Sequence, residues 1–143
     1  GTVARGQLEA DEHRYRGRVH GAYAETFPPG LQPTAELVAR GKDRWDVYCT
    51  LCHGPTGHSD GRVHLRSAEL EQESWVPPTN LHYDYIRAQP PGQLFVSTTE
   101  GLRTMSPHGD LLSAEDAWAV VAYLEHLHAE HPPVVIEISE DEL

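Results

Sequence analysis

Two stretches of this chain place apolar residues at clear helical spacing. Leu37, Val38, Gly41, Trp45 and Tyr48 form the first stripe, which predicts a helix over 34–53. Thr34, behind Pro33, can cap its start, and Gly54-Pro55 suits its end. Ala117, Val120, Val121, Leu124 and Leu127 form the second stripe and predict a helix over 113–128. Ser113 can cap it, and Asp116 adds an acid to its first turn. The two helices should cross, with Gly41 allowing close approach. Trp45 and Tyr48 read as core residues. Between these stretches, residues 54–79 carry turn signals at Gly54, Gly57, Asp60-Gly61 and Pro77-Pro78 and read as loop. A short helix is expected over 80–88, ending before Pro90-Pro91. Another should run from Pro91 to Thr99, with Pro91 at an allowed first position and Gly101 at its end.

The outer segments lack period. Residues 1–33 close with Phe27-Pro28-Pro29-Gly30 and Pro33. They read as an extended arm outside the core, with a disordered leader as the alternative. Residues 131–143 open with His131-Pro132-Pro133, continue with a β-prone run from Val134 to Ile138 and end acidic. Solvated disorder is the default for that end. The chain therefore divides into an arm (1–33), a helical domain (34–130) and an acidic tail (131–143), without internal repeats.

Charge sharpens this division. The net charge is −11, which argues against a nucleic-acid partner. Residues 1–112 hold 14 acidic and 11 basic side chains, whereas residues 113–143 hold 8 acidic and no Lys or Arg. The acidity belongs mainly to the last helix and tail. At 143 residues the chain suffices for one modest domain, and it has no apolar run long enough to span a membrane. It begins with Gly1 and shows no signal-peptide pattern, which suits a processed or trimmed product.

The chemistry lies in Cys49-Thr50-Leu51-Cys52-His53. Two cysteines three apart share one face of a helical turn. Each can bond through sulfur to a vinyl group of a porphyrin, and the adjacent His53 is then placed as proximal iron ligand. One covalent haem c is the expected cofactor. Zinc and a plain disulfide remain as alternatives. Zinc would need further ligands from histidines, because Cys49 and Cys52 are the only cysteines. A disulfide gives no reason for His53. Haem c is attached outside the bacterial cytoplasm, so the motif implies export.

The second axial ligand decides the chemistry. Met105, the only methionine, lies in Gly101-Leu102-Arg103-Thr104-Met105-Ser106-Pro107, just before the last helix. A thioether there raises the reduction potential and fills the sixth position, favouring electron transfer over catalysis. His58, His64, His82 and His108 are competitors, and a core-filling role is the alternative for Met105. The remaining histidines read as surface residues, with His126 and His128 in a last turn that favours imidazolium.

Cys49–His53, Gly57, Asp60-Gly61, the single Met before a terminal helix and Trp118-Ala119-Val120-Val121-Ala122-Tyr123-Leu124 together resemble class I cytochromes c over residues 34–128. Within that class the chain looks like the mono-haem, membrane-associated cytochrome c subunit of alternative complex III, a bacterial quinol-oxidising complex. Gly1–Leu8, Tyr15, Gly17, Thr26-Phe27-Pro28, Leu37, Gly41 and Pro77-Pro78 carry this likeness. The resemblance implies an all-α class I cytochrome c fold with an extended N-terminal arm. It implies an electron-transfer protein and not an enzyme, with His53 and Met105 as iron ligands. The expected role is exit cytochrome on the periplasmic side of the bacterial membrane. Expected partners are the other subunits of the quinol-oxidising complex and a terminal oxidase or soluble carrier. Membrane association would run through a missing upstream anchor or through those partners. The alternatives are a free periplasmic carrier, a cytochrome c domain of another oxidoreductase, and a haem enzyme or gas sensor with an open iron. By the same analogy, the carbonyl of Pro77 or Pro78 should accept the second ring N–H of His53. Trp75, Tyr83 and Tyr85 could bond the haem propionates. The family commonly has Met-Pro where Ser106 separates Met105 from Pro107 here. The tail after Pro133 has no counterpart in the resemblance.

Overall fold

The computed structural model describes residues 2 and 10–136. Gly1 and Val3–Glu9, which include most of the quoted arm motif, and the acidic end 137–143 lie outside the described residues. The elements are α1 (Glu12–Arg16), the two-residue strands β1 (Arg18–Val19) and β2 (Ala22–Tyr23), α2 (Ala35–Tyr48), α3 (Thr50–His53), α4 (Arg62–Glu69), α5 (Asp84–Arg87), α6 (Pro91–Glu100) and α7 (Ala114–Glu130). The fold is mostly helical and consistent with a class I cytochrome c fold.

α2 and α7 form the frame. Thr34 Oγ1 accepts from Leu37 N–H at 3.2 Å, and Ser113 Oγ accepts from Asp116 N–H at 3.1 Å, so both capping expectations hold. The helices meet at Gly41, where an added Cβ would run into the Ala119 carbonyl. Only glycine permits this crossing. Arg40 and Arg44 of α2 then pair with Asp116 at 2.8 and 3.0 Å. Burial alone would raise the Asp116 carboxyl, but the two guanidiniums hold it below the ordinary carboxylate range.

Two findings depart from the sequence reading. The predicted 34–53 helix is two helices, broken at Cys49, which has φ −105°. The 54–79 loop contains α4, which buries only Ser67. Such a helix shows no apolar stripe for periodicity to find.

The arm also differs from expectation, because part of it is core. Ala24, Phe27, Pro28 and Leu31 are buried. α7 is buried on every side from Ala117 to Leu124, not on one stripe, because residues 13–31 cover its second face. Trp118 Nε1–H donates to the Arg14 carbonyl at 2.8 Å. Its ring stacks on Phe95 at 4.5 Å and meets Phe27 at 5.4 Å. Arg14 also pairs with Glu115. At Gly92 the chains approach so closely that a Cβ would strike the backbone of Gly17 and Ala24.

Candidate functional site

The α2 helix ends where the motif begins. Cys49 caps α2, its N–H bonding the Trp45 carbonyl at 2.9 Å. The single turn of α3 follows, with His53 N–H to the Cys49 carbonyl at 2.9 Å and Gly54 N–H to the Thr50 carbonyl at 2.9 Å. This turn gathers Cys49, Cys52 and His53 on one short scaffold. Buried Trp45 braces it, because its indole N–H donates to the Gly54 carbonyl at 3.1 Å. The chain then folds back. Gly54 has φ +79°, and a Cβ there would strike the Asp60 carboxylate. Gly61 abuts the Leu51 and Cys52 carbonyls just as closely. Both glycines sit in the quoted sequence signals, but their role as backing for α3 required the structure.

Burial pushes the Cys49 thiol up to about 12, with Cys52 beside it adding to the shift. No disulfide joins the two cysteines, and Cys49 is not an activated thiolate. His53 lies below its ordinary value, chiefly through burial. The Thr79 main chain pulls the other way, and His108 lowers it further. Nδ1 of His53 is buried and meets no partner at hydrogen-bond geometry. Within the 77–79 segment the Thr79 main chain is the group that bears on the ring, while the Pro78 carbonyl accepts from Ser59 Oγ at 2.5 Å.

Met105 is half-buried in the loop after α6. That loop is firmly tied. Leu102 and Met105 exchange main-chain hydrogen bonds at 2.9 and 3.1 Å, and His108 and Gly109 bond the Thr98 and Thr99 carbonyls, each at 3.0 Å. His108 of this loop lies near enough to His53 to oppose a charge on it, and its Nδ1 is also buried without a partner.

The other candidates are engaged elsewhere. His64 Nδ1 accepts from Trp75 Nε1–H at 3.0 Å, which also occupies the Trp75 indole. Tyr83 and Tyr85 stack on each other at 5.8 Å. His82 is wholly buried, its Nε2 2.7 Å from the Thr56 carbonyl. His128 does not favour imidazolium, because burial lowers it and Arg87 and His82 add repulsion. Among the described residues, no three or more His, Cys, Asp or Glu side chains are arranged to hold a metal ion, which leaves a zinc site without support.

Comparison with known proteins decides the class. The family described as cytochrome C oxidase, cbb3-type, subunit III matches residues 36–124. The chain belongs to that family. Among solved structures it is similar to a chain of the reducing HAO-like protein complex of Kuenenia stuttgartiensis. The likeness has 24% identity and a TM-score of 0.57, over 80% of this chain and 54% of that one. It shows the fold alone, and this chain spans about half of that chain's length. No curated protein matches. Membership in the cbb3-type subunit III family implies covalently bound haem c. The Cys49–His53 turn is consistent with such a site, and its residues fit the group. Two closely spaced thiols and an adjacent imidazole supply the donor set, and the buried Nδ1 of His53 awaits orientation by the 77–79 segment. A cytochrome c domain is an electron-transfer module.

Proposed function

We propose that Cys49 and Cys52 hold one haem c with His53 and Met105 as axial ligands, and that the domain passes single electrons. The observation that carries this reading is the α3 turn, which presents both thiols and His53 within four residues of each other. When bound, the haem supplies a one-electron couple. The residues do the rest. The Cys49–Cys52 turn fixes the attachment points, and Trp45 and Gly61 keep the turn rigid. The Thr79 main chain is placed to steady the His53 ring and tune its basicity. A thioether from the tied Leu102–Met105 turn would raise the potential and close the sixth position.

The finer role is exit cytochrome of a respiratory quinol-oxidising complex like alternative complex III. It would lie on the periplasmic side of the bacterial membrane and pass electrons to a terminal oxidase or mobile carrier. The quoted arm and domain motifs support it. A second reading is a free periplasmic carrier or the cytochrome c domain of another oxidoreductase. One observation favours it: residues 13–31 pack on their own α7, so this part of the arm needs no neighbouring subunit to explain it. Purification from native membranes separates the readings. Multihaem and iron–sulfur subunits should accompany the chain in the first; recovery alone or with an oxidase supports the second.

Replacing Met105 tests the ligand. Met105→Ala should abolish the sulfur-to-iron charge-transfer band of the oxidised protein and lower its midpoint potential. An unchanged spectrum would transfer the assignment to His108. Tight binding of carbon monoxide by the native reduced protein would instead indicate an open iron.

A further inference from the structure

Four histidines from three parts of the chain meet below the α7 C-terminus. His58 stacks on His82 at 4.1 Å between ring centroids, 24° from parallel. His131 meets the edges of both at 5.2 Å, and His128 meets His82 at 5.5 Å. The protonation state of His82 can be read from its partner. Its Nε2 lies 2.7 Å from the Thr56 carbonyl, which can only accept, so Nε2 carries the proton. Nδ1 is buried without any hydrogen-bond partner, so a proton there would have no acceptor. His128 Nε2 likewise donates to the Leu81 carbonyl at 2.8 Å. Burial favours the neutral form of both rings.

A second proton on His82 would occupy Nδ1, where no acceptor waits. The groups that face the ring would all oppose it: His58 from the loop after α3, His131 from the end of α7, and Arg87 from α5. His128 faces Arg87 and His82 in the same way. Among the described residues, the charges that bear most on these two rings are His58, His131, Arg87 and the rings themselves, all basic. Stacked rings do not converge their nitrogens on one point, so the ligand this cluster fits is the proton and not a metal ion.

The cluster also holds the start of the C-terminal segment. Val134 N–H donates to the His82 carbonyl at 2.9 Å, and Val134 pairs in parallel with Tyr83. Arg87 bonds the His128 and His131 carbonyls at 2.6 and 3.2 Å. Beyond that bridge, Val135 and Ile136 are exposed. The docking of this segment therefore rests on main-chain bonds made by the same residues whose rings would repel one another when charged.

We propose that His82 and His128, packed with His58 and His131, form a proton-operated latch: with His82 and His128 neutral, it holds residues 134–136 against residues 82 and 83; with them charged, it releases those residues. The helical domain stays folded in both states. The latch requires nothing of the iron ligands, so it stands or falls separately from the haem reading.

Hydrogen exchange of the Val134 amide in the reduced, haem-loaded full chain tests the latch, with rates corrected for the pH dependence of intrinsic exchange. Protection of Val134 should fall at least about tenfold between about pH 7.5 and about pH 5, the direction in which proton uptake by the lowered His82 and His128 works. The His82 ring signals should titrate over the same range, while mid-helix amides such as Val121 keep their protection. The His58→Phe/His131→Phe double variant keeps aromatic rings and removes the two imidazoles that oppose a proton on His82, so release should move to lower pH. Val134 protection unchanged while His82 titrates would overturn the latch. Simultaneous loss of Val121 protection would also do so, because that is global unfolding. An unshifted release in the double variant would remove the cluster as its cause.

Discussion

Residues 13–31 fasten to α7 through Phe27 against Trp118, the Arg14 carbonyl on the Trp118 indole, and the Gly17–Gly92 approach. Residues 131–136 fasten through one Val134 bridge, one Arg87 bond to the His131 carbonyl and packed imidazoles. The two flanks border the same helix, yet the first is held by buried apolar area and the second by polar groups that titrate. Apolar burial responds weakly to pH, whereas a buried neutral imidazole does not survive acid. The N-terminal flank is thus a permanent part of the core, and the C-terminal flank is conditional.

The largest expected effect breaks the first fastening. Trp118→Ala removes a fully buried indole and the bond to Arg14. It should cost about 3–5 kcal/mol in denaturant unfolding and open residues 18–31 to protease. A loss below about 1 kcal/mol would mean that the arm is not part of the cooperative core.

The second prediction separates the flanks by pH. His82 and His128 lie below their ordinary value of 6.5 in the folded chain. Their contribution is present above about 6.5 and lost as pH falls from there toward their lowered folded values. Asp116 lies below its ordinary 3.8, so its contribution persists until pH falls below that range. Stability measured against pH should therefore decline in two stages, the first near neutrality. A single stage confined to strongly acidic pH would remove the distinction.

The smallest effect concerns the tail itself. Truncation after Pro133 deletes the Val134 bridge and, among the described residues, one half-buried and two exposed side chains. Denaturation at neutral pH should change by about 1 kcal/mol or less, with the haem spectrum unaltered. A larger loss would place Val134 among the core contacts.

Legibility in the sequence follows the same physics. α7 and α2 could be read because their apolar stripes and caps repeat at helical period. The Gly41 crossing could be read because a glycine interrupted a stripe. Phe27 and Leu31 were hidden because they reach the core from proline-rich turns with no period. α4 was hidden because Val63 and Leu65 are exposed and Ser67 is the residue it buries. Cys49, Cys52 and His53 were legible from spacing alone. Thr79 facing His53, and His82 among three other rings, depend on which distant segments meet, and spacing along the chain carries no such information.

The Gly41–Ala119 crossing has a consequence for the order in which this molecule can form. The two residues are about 80 positions apart, so their contact closes a long loop and its entropy must be met before the frame exists. α7 is the last helix among the described residues, and α2, α6 and the N-terminal flank all rest on it. A chain stalled before Ala114 has no surface on which those elements can assemble. Folding of this domain is therefore committed only after α7 has emerged. Substitutions that weaken the crossing should slow folding itself if the α2–α7 contact forms the nucleus, and refolding of a Gly41→Ala variant would show it as a lowered folding rate with little change in unfolding.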